Sequence, residues 1–246
     1  MSDAVSLGLV GKKQDSSSKD SMLRSLAIDG PTAAGKSVIG KKLSQRLSLY
    51  FCDTGLMYRA ATLAVLRSEI ILEDESGIVS CVNEAGIDLQ WTNPEIPRVL
   101  LQGVDVSEHL RDPRIEHTVS RVAGIQAVRE VLVQRQKAIA RRSPVIMVGR
   151  DIGKVILPEA RVKIFLDASL AERARRRFLE QSSTGLDVTL KSVEDSISRR
   201  DSADNTGHRS ITAEQAADGA VIITTDGLSE DTVVEKCLAA YQTGNA

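Results

Sequence analysis

The sequence has few of the residues that build cross-linked, metal-rich or membrane-spanning proteins. Its 246 residues include three cysteines and three histidines, and neither set has the close spacing of a disulfide framework or a zinc site. No apolar run approaches the ~20 residues of a membrane span. We therefore expect a cytoplasmic protein without a structural disulfide, a zinc centre or a membrane anchor.

A strong excess of charge of either sign is also missing. The chain carries 32 Lys and Arg against 33 Asp and Glu, a formal net charge of −1, so its overall field would not hold nucleic acid. The hydrophobic fraction of 42% and the charged fraction of 26% are typical of a globular domain. We expect a monomer that binds small anions through local arginines, and no nucleic acid or membrane.

The most informative motif is a glycine-rich loop at residues 30–37. It reads GPTAAGKS and matches the pattern G-x-x-x-x-G-K-[ST], between an apolar run ending at Asp29 and a segment with helical spacing. A strand, a glycine loop and a helix in this order aim backbone N–H groups at phosphate oxygens. Lys36 would add charge at the β- and γ-phosphates, and Ser37 would hold Mg²⁺. The loop predicts that the chain binds a nucleoside triphosphate with Mg²⁺.

Apolar runs and helical spacing alternate through most of the chain, which predicts a parallel sheet covered by helices on both faces. The predicted strands are Leu23–Ile28, Leu49–Cys52, Val145–Val148, Val162–Leu166 and Ala220–Thr224. The predicted helices are Ser37–Leu47, Leu56–Arg67, Arg114–Arg141, Leu170–Gln181, Thr189–Asp201 and Ser229–Tyr241. Ligands of such folds bind at the carboxyl ends of the strands, where Gly30, Asp53 and Asp151 would lie.

The predicted organisation is one core with an insertion and a tail. Residues 1–22 are rich in lysine and serine, and we expect a disordered tail there. Residues 23–70 begin the core, 71–116 form a small inserted β lobe with a turn at 92–94, and 117–246 complete the core. A helical lid is expected around 176–212.

Three further clusters each allow a structural and a functional interpretation. Asp53 and Thr54 can cap the helix that follows them or bind substrate. Arg150 and Asp151 can form a mutual salt bridge or contact a ligand, and their flanking glycines favour the ligand. The arginines at 173–177 and 199–209 can be a solvated helix face or a flap that closes over phosphates.

Taken together, these segments resemble the bacterial-type cytidylate kinases, a family of P-loop nucleoside monophosphate kinases. The resemblance covers residues 23–241. The segments that carry it read IDGP (28–31), DTGLMYR (53–59), GRDIG (149–153), LDAS (166–169), ERARRR (172–177) and TDGLS (225–229). It implies a P-loop kinase fold with a five-stranded parallel sheet, an inserted β lobe and a helical lid, and transfer of the γ-phosphoryl group of Mg·ATP to CMP or dCMP.

The resemblance also implies a role for each matching residue. The ATP site would comprise Gly30, Pro31, Thr32, Ala33, Ala34, Gly35, Lys36, Ser37, Val38 and Arg176. The acceptor site would comprise Asp53, Thr54, Arg59, Ser120, Arg129, Arg150, Asp151, Arg200, Asp204 and Arg209. Within these sets, cytosine is read by Ser120, Arg129 and Asp151, and the residues expected to act on the transferred group are Lys36, Arg150, Arg177 and Arg200.

The sequence departs from the family pattern at two places. Val148 stands where the family commonly has an acidic residue, and residues 205–209 hold one extra residue near the lid arginine. Arg209 is our choice for that arginine, although His208 occupies nearly the same position. The alternatives are a P-loop kinase of another metabolite, a nucleotide-dependent switch and a structural protein with a non-functional loop. A guanine-specific switch would need an N-K-x-D sequence, which this chain lacks.

Overall fold

The computed structural model describes residues 19–183, 185–206 and 212–244. Its strands are β1 (Leu26–Asp29), β2 (Tyr50–Asp53), β3 (Asp88–Asn93), β4 (Ile96–Leu101), β5 (Val104–Asp105), β6 (Val145–Val148), β7 (Val162–Asp167) and β8 (Val221–Thr224). Within the described ranges, five of them form one all-parallel sheet in the order β2-β6-β1-β7-β8. The predicted five-stranded parallel α/β fold is confirmed.

Helices follow the strands and cover the sheet. They are α1 (Lys36–Leu47), α2 (Thr54–Arg67), α3 (Glu75–Glu84), α4 (Pro113–Gly124), α5 (Gln126–Arg142), α6 (Leu170–Ser183), α7 (Leu190–Thr206) and α8 (Glu230–Thr243). The central strands β1 and β6 are buried along their whole length because helices pack on both faces. In the described part of the chain, no helix is both long enough and apolar enough to cross a bilayer.

The long helix predicted over 114–141 is wrong, because the structure has two helices there. Helix α4 ends at Gly124, and Ile125 takes an extended conformation with ψ 117° before α5 begins. Ile125 is buried, so an apolar residue forms the corner where the sequence pattern shows no break. The break turns α5 against α4 and brings residues of both helices to the same end of the sheet.

The inserted segment carries the small antiparallel sheet that the sequence predicted, together with helical elements. It holds the antiparallel sheet β3-β4-β5, but also α3 and a 3₁₀ helix at Ser107–Arg111. Gln102 and Gly103 both have positive φ and form the turn between β4 and β5. Buried side chains of the insertion pack into the same apolar cluster as the core strands.

The folded part of the chain begins earlier than expected. Residues 19–23 are helical, and Ser21 is buried with its Oγ donating to the Ala140 carbonyl over 2.8 Å. Residues 19–22 therefore belong to the core rather than to the predicted tail. Residues 1–18 lie outside the described residues.

Candidate active site

One cleft of about 980 Å³ opens at the carboxyl ends of β1, β2 and β6. It joins the glycine loop to the acceptor residues that the sequence analysis proposed. The predicted residues that line it are Thr32, Ala33, Lys36, Ser37, Asp53, Thr54, Arg59, Ser120, Arg150, Asp151, Arg200 and Asp204. Residues at the ends of three core strands thus meet residues of the α1, α2, α4 and α7 helices at one place.

The glycine loop needs its glycines for steric reasons. A Cβ atom on Gly30 would lie 2.3 Å from the carbonyl oxygen of Leu166 on β7, and Gly30 has φ 146°. Gly35 precedes α1 in a left-handed conformation with φ 93°. The loop therefore turns tightly against the neighbouring strand before α1 starts, and the N-terminus of α1 faces the cleft at Lys36 and Ser37.

The side chain of Lys36 is hydrogen-bonded to the main chain of the glycine loop. Its Nζ donates to the carbonyl oxygens of Gly30 at 2.7 Å and Pro31 at 2.6 Å. Burial of the ammonium group and, to a smaller extent, the charge of Arg150 lower the pKa of Lys36 to about 7, while Asp53 acts in the opposite direction. A triphosphate would supply the anionic partners that favour the charged lysine.

The side-chain oxygens of Ser37 and Asp53 lie together near Lys36. The Ser37 hydroxyl donates to Asp53 Oδ2 over 2.7 Å, and Asp53 Oδ1 accepts from the Gly55 backbone N–H over 2.9 Å. Asp53 therefore caps α2 and also lines the cleft. Among the described residues, no group of three His, Cys, Asp or Glu side chains could bind a metal by itself.

Arg150 and Asp151 do not pair with each other. Arg150 donates to Thr32 Oγ1 in the glycine loop over 2.6 Å and contacts Asp204. Asp151 Oδ2 instead accepts from Arg129 Nη2 over 2.8 Å, and both side chains of that pair are about one-sixth exposed. The mutual salt bridge considered from the sequence is absent, and each residue has a partner from a helix on the far side of the cleft.

Arg59 is engaged by an acidic residue that the sequence analysis did not single out. Its Nη2 contacts Glu116 Oε2, and its Nη1 donates to the Leu110 carbonyl over 3.2 Å. Glu116 Oε1 also lies 3.7 Å from Arg177 Nη2. Burial alone would raise the pKa of Glu116, but Arg59 and the other arginines outweigh it and lower the pKa.

Of the predicted lid arginines that the structure describes, Arg200 lines the cleft, whereas Arg176 and Arg177 do not. Arg176 packs on the glycine loop side, where it donates to the Thr225 side chain and carbonyl at 2.9 and 2.8 Å. Arg173, which was not selected, is buried and donates to the Thr32 carbonyl over 3.2 Å and to Asp201 over 2.6 Å. Arg209 and His208 lie outside the described residues.

Six other predicted residues are not among those that line the cleft, namely Gly30, Pro31, Ala34, Gly35, Val38 and Arg129. Val38 is 44% exposed on α1, and Arg129 donates to Asp151, which does line the cleft. Other lining residues were missed, namely Gly55, Tyr58, Val119, Ala123, Val148 and Gly149. Glu116 and Ala123 share a helical face with Ser120, since they lie four and three positions from it, so that spacing could have found them.

An all-parallel sheet, a phosphate loop and an adjoining cleft lined by arginines define a P-loop kinase that acts on nucleoside monophosphates. The profile of the family described as cytidylate kinase matches residues 26–243. This chain belongs to the cytidylate kinase family. The match spans nearly all of the described residues, including the inserted segment, so it confirms the resemblance found in the sequence.

Two relatives of known family agree with that assignment. The chain is 46% identical over 217 residues to cytidylate kinase of Caldanaerobacter subterraneus subsp. tengcongensis, covering 88% of this chain and 94% of that protein. It is 43% identical over 219 residues to cytidylate kinase of Desulforamulus reducens, covering 89% and 97%. Among solved structures, an uncharacterized protein from Eubacterium ventriosum ATCC 27560 covers 90% of this chain with a TM-score of 0.49 and 12% identity.

Proposed function

We propose that the cleft transfers the γ-phosphoryl group of Mg·ATP to the phosphate of CMP or dCMP. The observation that carries this proposal is that one cleft is lined both by residues of the glycine loop and by Asp151, whose carboxylate pairs with Arg129. The acceptor phosphate oxygen forms the new P–O bond, and the bond from the γ-phosphorus to the β–γ bridging oxygen breaks. The products are ADP and CDP or dCDP. No general base is needed because the attacking oxygen is already anionic.

We assign ATP to the side of the cleft formed by residues 30–38 and Arg176. The loop N–H groups and the α1 N-terminus favour phosphate oxygens, and Lys36 would exchange its two carbonyl partners for them. Ser37 and Asp53 offer the hard oxygen donors that Mg²⁺ prefers, so these residues fit the ion. Bound there, Mg²⁺ would neutralise charge on the β- and γ-phosphates.

We assign the acceptor nucleotide to the opposite side. Arg59 and Arg150 would hold its phosphate, with Arg200 and Asp204 at the ribose and the closing lid. Asp151 and Ser120 can accept from the cytosine amino group, while Arg129 donates to N3 and O2. Uracil reverses donor and acceptor at two of these positions, so Asp151 would face an oxygen.

The proposal also covers the lid, the inserted segment, the location of the enzyme and its oligomeric state. Arg177, and Arg209 outside the described residues, would approach the phosphates when residues 176–212 close, which also excludes water from the transfer. The inserted segment 71–116 is assigned to the acceptor half of the core. We further propose that the chain acts as a cytoplasmic monomer without a nucleic-acid partner.

A coupled assay for ADP tests this function. With Mg·ATP, we expect rapid turnover of CMP and dCMP, weak turnover of UMP, and none of AMP or shikimate. Lys36→Ala should reduce turnover by orders of magnitude while its unfolding midpoint stays near that of the wild type. Turnover of shikimate but not of CMP, or normal turnover by the Lys36 variant, contradicts the proposal.

A further inference from the structure

Asp29 is a buried carboxylate with no role in the assignments above. It is 3% exposed, although it is the residue just before the glycine loop. Its Oδ1 accepts from the Ile152 backbone N–H and its Oδ2 from the Gly153 backbone N–H, both over 2.8 Å. A buried carboxylate is costly unless such bonds satisfy it, so both of its oxygens are committed to the main chain of one segment.

The segment that Asp29 holds carries acceptor-site residues. Ile152 and Gly153 directly follow Arg150 and Asp151, which both line the cleft. On the other side of these two residues, the Gly149 N–H donates to the Ile28 carbonyl over 3.0 Å. The end of β1 therefore fixes the main chain both before and after Arg150 and Asp151.

Asp29 also lies within electrostatic reach of both halves of the cleft. Burial raises its pKa, the backbone hydrogen bonds from Gly153 and Ile152 lower it, and the net value is about 6; the charge of Asp151 raises the pKa slightly and that of Lys36 lowers it. Ile152 begins a short π-helix over Ile152–Ile156, a rare type of turn that is often found at functional sites. The Asp29 carboxylate thus connects the start of the glycine loop with the segment that carries Arg150 and Asp151.

We propose that Asp29 is a positioning residue for the acceptor nucleotide. Through the N–H groups of Ile152 and Gly153 it sets where the main chain leaves Asp151, and hence the directions of the Arg150 and Asp151 side chains. A change at Asp29 then alters recognition of the acceptor more than recognition of ATP. This inference rests on the proposed function, because it uses CMP as the acceptor.

The test compares Asp29→Asn with the wild type. The amide keeps one acceptor oxygen but turns an NH₂ group toward the second backbone N–H, so one of the two buried hydrogen bonds is lost. The loss of one such bond corresponds to roughly a 10-fold change in a binding constant. We expect the KM for CMP to rise by about that factor, the KM for ATP to change less than about 2-fold, and the preference for CMP over UMP to fall. Asp29→Ser removes the charge without adding an NH₂ donor and should shift the same parameters.

Ser44→Ala is the matched control for loss of a buried hydrogen bond. The Ser44 Oγ donates to the Leu49 carbonyl over 2.6 Å in the α1–β2 connection, away from the cleft. This variant should lower the unfolding midpoint and leave both KM values and the CMP preference unchanged. If the Asp29 variants change stability alone, or raise both KM values equally, the positioning role is wrong.

Hydrogen exchange of the wild-type chain provides a readout that needs no variant. We expect the Ile152 and Gly153 amides to exchange slowly, and to slow further with CMP but not with ATP alone. Rapid exchange at both amides overturns the inference. Absence of CMP turnover by the wild type contradicts the proposed function itself, whereas normal turnover with unchanged selectivity of both Asp29 variants contradicts only the role of Asp29.

Discussion

Arg129 Nη2 donates to Asp151 Oδ2 over 2.8 Å, across the gap between α5 and the end of β6. Both side chains of the pair are about one-sixth exposed, so the protein around them holds the arrangement. Arg129 presents donors and Asp151 presents an acceptor, which is the pattern complementary to the polar edge of cytosine. The break between α4 and α5 matters here, since a continuous helix would not return Arg129 and Ser120 to the same end of the sheet.

Asp151→Asn should weaken the preference for CMP over UMP. The amide can donate to the uracil oxygen that a carboxylate opposes, and it weakens the charged bond from Arg129. We expect the ratio of kcat/KM for CMP to that for UMP to fall by roughly 10- to 100-fold, while the KM for ATP changes less than about 2-fold. Equal losses with both acceptors contradict the base-reading role.

Asp53→Asn should raise the Mg²⁺ requirement without unfolding α2. Asparagine still caps the helix through Gly55, so the substitution separates the capping role from the role at the cation. We expect half-maximal activity to need roughly 10-fold more free Mg²⁺ at saturating ATP. The check is a titration of activity against free Mg²⁺ together with a thermal melt. An unchanged Mg²⁺ dependence would remove Asp53 from the cation site.

Glu116→Gln should improve binding of the acceptor. The Glu116 carboxylate contacts Arg59, which we assign to the acceptor phosphate, so the phosphate must compete with Glu116 for this arginine. Without that charge, we expect the KM for CMP to fall several-fold, as roughly 1 kcal/mol of competition would give. Glu180→Gln is the control, because Glu180 pairs with Arg177 but not with Arg59. A higher KM would mean that Glu116 orients Arg59.

Asp29 should give the stability of the protein a characteristic pH dependence. Its pKa is about 6 when folded and 3.8 as an ordinary Asp, so the folded chain binds this proton more tightly. Between these two values the unfolded state has lost the proton and the folded state keeps it, so this contribution to stability falls as the pH rises. Asp29→Asn lacks the effect.

The measurement is urea unfolding of both proteins at pH 4.5 and pH 6.5. Relative to Asp29→Asn, the wild type should lose about 2 kcal/mol of unfolding free energy over that interval. The difference between the two proteins cancels the titration of all other groups that they share. A wild type that gains stability relative to the variant would mean that the folded pKa of Asp29 lies below its ordinary value.

Local patterns predicted the sheet and the loop well. Apolar runs mark the strands, and residues 30–37 specify their own turn, so both follow from neighbours in the chain. Local patterns did not predict the ion pairs across the cleft. The pairs Arg129–Asp151 and Arg59–Glu116 depend on how elements that are distant in the chain pack together. The break at Ile125 escaped prediction for a related reason, since its only signals are one glycine and an apolar residue that suits a helix equally well.

The most direct test of the account is inhibition by a bisubstrate compound in which adenosine and cytidine are joined through five phosphates. If the cleft holds a triphosphate at Lys36 and a cytidine nucleotide at Asp151, this compound should compete with both ATP and CMP and bind one per chain. The corresponding uridine compound should bind more weakly. Competition with ATP alone, and equal affinity for the two compounds, would contradict the account.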